Sequence, residues 1–260
     1  MSKNAIVLGG SKGVGFTIAC KLASEGYNTI IVGRDKKRLM EAQLLAKQRK
    51  ISLQIEVADA TKEQDIEELF LKIEYLQSLD IFVNCVGKNL SQTLVKKDKS
   101  GAILKHEVQD FKRIIELNLI SAFIGGREAA RFMISKNTEG VIINITTALY
   151  QGAYGQSAYT AAKSGVTALT YTWALELSKY GIRCVSIAPG AIVGAALIQA
   201  CEKSESHANY MNKLREQIPL KRFVAEEEVA DSVYFAATNK YLTGTILKLD
   251  GGGLPPKVVF

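Results

Sequence analysis

Short apolar runs rich in Val and Ile recur at 5–8, 29–32, 53–57, 81–86, 141–145, 183–188 and 245–249. Each has strand length and reads as a strand buried on both faces. Between them lie stretches whose apolar residues repeat at helical period: 14–25, 36–49, 63–77, 108–135, 158–179 and 226–238. This alternation predicts an α/β fold, a doubly wound parallel sheet of about seven strands with helices on both faces. No repeat, low-complexity tract or linker interrupts it, so a single domain over 1–260 is expected. Segments 88–106 and 192–217 break the rhythm. Both follow strand C-termini, where open α/β sheets bind ligands, and both are expected to be substrate-side loops.

The 260 residues are 47% apolar and 23% charged, an ordinary balance for a soluble globular protein. The formal net charge of +7 is spread over separate clusters at Lys36–Arg38, Lys47/Arg49/Lys50 and Lys96/Lys97/Lys99. Without interleaved aromatics these read as solvated faces, and no nucleic-acid partner is expected. The charge would also suit a phosphate-rich cofactor or a CoA-like substrate. A structural or nucleic-acid-associated protein is the charge-based alternative; it predicts DNA binding that weakens steeply with salt. Cys20, Cys85, Cys184 and Cys201 stand singly, and His106 and His207 are the only histidines, so no metal site is expected. The thiols read as reduced, in a cytoplasmic protein. The apolar stretch near the N-terminus is too short for a signal or a span, and no membrane association is expected.

Gly9-Gly10-Ser11-Lys12-Gly13-Val14-Gly15 follows the first strand directly and opens a helix. Its spacing lets backbone amides approach a pyrophosphate while the helix N-terminus faces the anion, the arrangement of a Rossmann-type dinucleotide site. The second strand ends at Ile31-Val32-Gly33-Arg34-Asp35. An NAD site puts a carboxylate at that end for the ribose 2′-hydroxyl, whereas Gly33, Arg34 and the nearby Lys12 offer two cations to a 2′-phosphate. NADP(H) is therefore the expected cofactor. If the strand runs further, Asp35 takes the ribose and NAD is favoured.

Tyr159 and Lys163 are spaced to share one helix face, one turn apart. A phenol has a pKa near ~10, and an adjacent ammonium favours its ionised form, which would make Tyr159 a usable general acid/base. Asn144-Ile145-Thr146-Thr147 closes the preceding strand.

The glycine loop, Asn84-Cys85-Val86-Gly87, Asn118, the Tyr-xxx-Lys pair, Pro189-Gly190, Leu242-Thr243-Gly244 and Leu249-Asp250-Gly251-Gly252 occur in one order and spacing. Together they resemble the short-chain dehydrogenase/reductase family over essentially the whole chain. The similarity is to its one-domain branch of ketoacyl reductases and hydroxysteroid or hydroxyacyl-CoA dehydrogenases. The resemblance implies that Tyr159 passes the proton, that Lys163 binds the nicotinamide ribose and lowers the Tyr pKa, and that Asn118 holds a relay water. It implies adenine contact by Asp59 beside Ala60, strand support by Asn84, and a close cofactor path along Cys85, Val86 and Gly87. Ile192, after Pro189 and Gly190, would offer its backbone to the carboxamide.

The chain departs from the family pattern at several places. The usual catalytic Ser is a Thr: counting back from Tyr159 gives Thr146, whereas matching Asn-Ile-Ser-Ser from the strand gives Thr147, favoured if the loop has lost a residue. Leu8 and Cys85 replace a usual Thr and Asn, and Gly194 stands where a carboxamide-anchoring Thr is usual. Thr138 and Leu175 occupy the positions of carrier-docking arginines, against a carrier-protein substrate.

The function implied is NADP(H)-dependent interconversion of a ketone and a secondary alcohol on a small apolar or acyl substrate, with residues 194–200, Tyr150 and Tyr154 suggesting an apolar pocket. Lys96, Lys97 and Lys99 would suit an acidic or phosphorylated group. The alternatives are an NAD-dependent alcohol or hydroxyacyl dehydrogenase and a catalytically weak NADP(H)-sensing protein. The resemblance also implies a homo-tetramer or homo-dimer through helices 108–135 and 158–179.

Overall fold

The computed structural model describes residues 3–255 and 257, so both ends of the expected 1–260 domain lie outside the described residues. Seven parallel strands form the central sheet in the order β11-β8-β7-β4-β1-β2-β3. They are β1 Asn4–Leu8, β2 Asn28–Gly33, β3 Gln54–Val57, β4 Ile81–Asn84, β7 Val141–Ile145, β8 Arg183–Pro189 and β11 Thr245–Leu249. All seven expected strands are present, with ends shifted by at most two residues. Alternation along β1 explains the layering. Ala5 and Val7 point into a core shared with α1 (Gly13–Ser24), α2 (Lys36–Gln48) and α9 (Glu226–Thr238). Ile6 and Leu8 point into the opposite core, shared with α3 (Glu63–Lys72), α5 (Ser121–Ser135) and α6 (Ser157–Leu177). The inner strands β1, β4 and β7 are buried throughout, as both-face coverage requires. The edge strands β3 and β11 are only partly buried, because each has a neighbour on one side alone.

Three expectations need correction. The helix expected over 108–135 is divided into α4 (Val108–Ile115), a π turn (Glu116–Ile120) and α5. The buried Asn118 explains the break: its amide donates to the Ile114 carbonyl at 2.9 Å, the acceptor its own N–H would use in an α-helix. The helix expected over 63–77 stops at Lys72, where the chain turns through Ile73.

The two substrate-side segments are not plain loops. Segment 88–106 carries an antiparallel hairpin, β5 (Val95–Lys97) with β6 (Ile103–Lys105), whose tip is ordered by Asp98 accepting from the Ser100 and Ala102 N–H groups. Segment 192–217 holds β9 (Ile192–Val193), α7 (Ala195–Lys203) and α8 (Glu205–Gln217), the last capped by Ser204, which accepts from the His207 N–H. β9 pairs with β10 (Val224–Ala225).

Strand order reverses between β1 and β4, so their C-terminal ends diverge into a crevice at the sheet's topological switch point. Among the described residues, no helix is long and apolar enough to cross a membrane.

Candidate active site

The glycine loop lines one wall of this crevice. Gly9 and Gly10 donate to the Val32 carbonyl at 2.9 and 3.3 Å, tying the loop to the end of β2. Gly9 adopts φ +90°, and a Cβ there would lie 2.9 Å from the Cys85 carbonyl carbon, so the two switch-point loops touch as backbone. A Cβ on Gly15 would lie 2.2 Å from the Gly9 carbonyl oxygen. The first turn of α1 is thus pressed onto the loop, with Val14 half-buried, Gly13 exposed and no acidic residue in that turn. Lys12, exposed, stands at the helix N-cap. Free helix N–H groups beside a small-residue cradle suit a phosphate.

The neighbouring wall is formed by the ends of β2 and β3. Ser11 Oγ lies 3.6 Å from where a Cβ on Gly33 would be, and the exposed Arg34 guanidinium is 3.9 Å from the Asp59 carboxylate. Asp59 accepts from the Thr61 N–H and hydroxyl at 3.0 and 2.8 Å. Burial pushes its carboxyl upward, but these bonds and Arg34 together hold it below the usual range. Ala60 is buried beside it. Asp35 caps α2, accepting from the Arg38 N–H at 3.2 Å and meeting the Arg38 side chain at 3.2 Å.

Deeper in the crevice, Gly87 brings the polar groups together. A Cβ on Gly87 would lie 2.6 Å from Asn118 Oδ1 and 3.2 Å from Lys163 Nζ, so both side chains converge on this α-carbon. Asn118 is locked by both its amide and its carbonyl: Nδ2 donates to the Lys88 carbonyl at 3.1 Å and Oδ1 accepts from the Lys88 N–H at 3.2 Å. Lys163, buried, donates to the Ile145 carbonyl at 2.8 Å. Thr146 and Thr147 are both buried, yet Thr146 Oγ1 is committed to the Ile187 carbonyl at 3.2 Å. The Thr147 hydroxyl is the one hydrogen-bonded to Tyr159.

Burial pushes the Tyr159 phenol up to about 12, with the Thr147 hydrogen bond pulling downward and Cys85 adding to the rise. Burial lowers Lys163 to about 8, opposed by Cys85. The Lys163 ammonium is turned to the Ile145 carbonyl, and desolvation is the leading influence at both groups.

Lys163 titrates near 10.5 when unfolded and about 8 when folded, so between these values the unfolded chain holds more protons and stability rises with pH. Relative to Lys163→Met, the wild type should gain about 3 kcal/mol of unfolding free energy from pH 7 to 10.5. Parallel denaturant titrations of the two proteins measure this; matching pH profiles would refute it.

Asn84 supports the sheet from within. Its Nδ2 donates to the Ala122 carbonyl at 3.2 Å and to Asn144 Oδ1 at 2.7 Å. Asn144 continues to Thr170 at 2.9 Å, and Thr170 meets Ser186 at 2.7 Å. Thr170 and Ser186 have no sequence signature; only the strand order reveals this chain of bonds across β4, β7 and β8.

Glu226 is a second residue the sequence did not single out. It accepts from Thr17 at 2.9 Å, and a Cβ on Gly194 would lie 2.2 Å from its Oε1, so Gly194 makes room for a carboxylate.

Val86 is half-buried on the strand exit. Pro189 accepts from the Ala148 N–H at 2.8 Å, the Gly190 N–H donates to Leu249 at 2.9 Å, and Ile192 pairs with Val224. A concavity of about 300 Å³ borders Gly190 and Asp250, whereas one of about 1150 Å³ along α2 includes none of the residues around Gly87. Lys248 lies over the Tyr150 ring at 5.3 Å, and the exposed Tyr154 has Lys257 over its ring at 4.9 Å.

The profile of the family described as "Enoyl-(Acyl carrier protein) reductase" matches residues 9–253. The chain is 32% identical over 260 residues to 3-oxoacyl-[acyl-carrier-protein] reductase FabG of Staphylococcus epidermidis, covering 97% of this chain and 99% of that one. It is 30% identical over 255 residues to 3-hydroxyacyl-CoA dehydrogenase type-2 of Bos taurus, covering 95% and 93%. The structure of a putative gluconate dehydrogenase from Agrobacterium tumefaciens superposes with a TM-score of 0.84 at 30% identity, over 97% of this chain and 96% of that one. With the seven-stranded parallel sheet and the crevice at its switch point, these matches make the chain a member of the short-chain dehydrogenase/reductase family of oxidoreductases.

Proposed function

We propose that this chain reduces a carbonyl to an alcohol with NADPH, using Tyr159 as the proton donor. The observation that carries the reading is the convergence of Asn118 and Lys163 on Gly87, with a half-buried Tyr159 on the Lys163 helix hydrogen-bonded to Thr147. A nicotinamide held in the crevice would supply the hydride. Tyr159 gives its proton to the substrate oxygen, and the Thr147 hydroxyl donates a second hydrogen bond as negative charge develops there. Lys163 would donate to the ribose of a bound cofactor, and Asn118 steadies the Lys88 backbone. A phenol pushed up to about 12 is protonated at neutral pH, the form a proton donor needs.

NADP(H) is favoured because β2 ends at Gly33, leaving Arg34 exposed beside it, while the Asp35 carboxylate is engaged as the α2 cap. Lys12 adds a second cation at the glycine loop. Arg34→Asp should weaken NADPH binding by tenfold or more (about 1.4 kcal/mol per tenfold) while sparing NADH. Fluorescence titration with each nucleotide tests this, and equal losses would remove the 2′-phosphate reading.

The free thiols suit a cytoplasmic setting, and the chain is read as one catalytic domain. Phe123 and Ile134 on α5, with Tyr171 and Leu175 on α6, are exposed apolar side chains that a homo-tetramer or homo-dimer through these helices would bury.

A further inference from the structure

β9 and β10 run in step, with Val193 opposite Ala225, so the next residues, Gly194 and Glu226, leave the pair side by side. Glu226 opens α9, which shares a core with α1. Two polar links tie these helices: the Thr17 hydroxyl donates to Glu226 Oε2 at 2.9 Å, and Lys21 meets Asp231 at 3.1 Å. Thr17 thus holds one carboxylate oxygen and fixes where the other points. A Cβ built on Gly194 would lie 2.2 Å from Oε1, and one built on the exposed Gly13 would lie 3.6 Å from it. The charge is also felt at the exit of β4. Burial pushes the Cys85 thiol up to about 11, Lys163 pulls it down, and Glu226 adds to the rise. The half-buried Glu226 therefore stands among the ends of α1, β4 and β9, which wall the crevice.

A carboxylate is an unexpected neighbour for a glycine loop that suits a phosphate, because two anions oppose each other. The space it fills supplies the reason. Residue 194 stands where the family pattern implies an anchor for the nicotinamide carboxamide, and glycine has no side chain to offer. A side chain at 194 would begin where Oε1 lies, so Glu226 brings an oxygen to that volume from the opposite strand of the pair. An ionised carboxylate only accepts hydrogen bonds. The phosphates of a dinucleotide offer it no proton, the adenine falls to the Asp59 wall, and the nicotinamide ribose falls to Lys163. The carboxamide amine is the donor that remains. We propose that Glu226 positions the nicotinamide by accepting a hydrogen bond from its carboxamide –NH2 group, in place of the side chain that Gly194 lacks. This rests on the dinucleotide reading of the crevice.

The test is equilibrium binding of two oxidised nucleotides to the full chain, NADP+ and its 3-acetylpyridine analogue, followed by protein fluorescence. The analogue keeps the carbonyl, the ring charge and the phosphates, and carries a methyl group in place of the amine. Charge effects therefore cancel in the ratio of the two Kd values. The wild type should bind NADP+ more tightly than the analogue by about tenfold or more. Glu226→Ala should bring the two within about threefold, chiefly by weakening NADP+ binding, whereas Glu226→Gln keeps an acceptor and should retain most of the preference. Equal binding of the two nucleotides by the wild type would overturn the proposal. Tighter binding of both nucleotides by either variant would also overturn it, as the mark of a carboxylate that only opposes the phosphates. An equal loss of both in Glu226→Ala would do the same, as the mark of a structural role. All three results leave the dinucleotide reading standing. If neither NADP+ nor NAD+ binds the wild type, that reading itself fails, and the role of Glu226 falls with it.

Discussion

Replacing Tyr159 with Phe should lower kcat for carbonyl reduction by about 10²–10⁴-fold, the usual worth of a positioned general acid. NADPH affinity should stay within about twofold, because the ring and its packing are retained. The size of the effect follows from the surroundings. The phenol is half-buried, and Thr147 is the hydroxyl that holds it in position. Thr147 alone would remain to polarise the substrate oxygen, with no proton available at the required place. Single-turnover reduction monitored by NADPH absorbance separates this step from binding. A Phe variant that kept the wild-type rate on any substrate would assign the proton to another group, and Lys163, turned toward Ile145, would be the next candidate.

Gly15→Ala should have the second-largest effect, on the cofactor side. The added methyl carbon would lie 2.2 Å from the Gly9 carbonyl oxygen, which is backbone and has no rotamer through which to yield. Either α1 moves away from β1 or the loop opens, and each displaces the helix N-terminus that faces the phosphates. Overpacking of this kind costs about 1–3 kcal/mol, which lowers Tm by roughly 2–10 °C in a chain of this size. NADPH affinity should fall by about 100-fold, near 2.7 kcal/mol. Thermal melts with and without NADPH read both quantities. Unchanged melting and unchanged affinity would mean that the close approach is not needed.

The sheet was legible because seven Val- and Ile-rich runs and the helical period between them are local signals. Strand order is not local, so the thinner burial of β3 and β11 could not be read. The division of helix 108–135 was hidden for a different reason. Asn118 scores as an ordinary helical residue, and only the bond from its own side chain to Ile114 opens the turn. The hairpin over 88–106 has three-residue strands, Val-Lys-Lys and Ile-Leu-Lys, too short for a period-two reading. Helices α7 and α8 were hidden because they follow one another inside a segment that interrupts the strand–helix alternation.

At the site, the Tyr159–Lys163 spacing and the glycine loop were visible as patterns. The choice between Thr146 and Thr147 was not, since it depends on which hydroxyl the Ile187 carbonyl occupies. Glu226 carries no pattern in the chain; its place is set by Thr17 and Gly194, which it meets across the fold.

The hairpin that leaves and re-enters at Leu94 and His106 has one more consequence. Because its two ends are joined by a single backbone hydrogen bond of 2.9 Å, it is a cassette plugged into one socket. Its sequence can lengthen, shorten or be exchanged without altering the register of any strand in the central sheet. The nucleotide half and the Tyr159 helix would stay fixed while the cassette is rewritten. A chain in which that segment of about a dozen residues is exchanged should therefore keep the central sheet and its register.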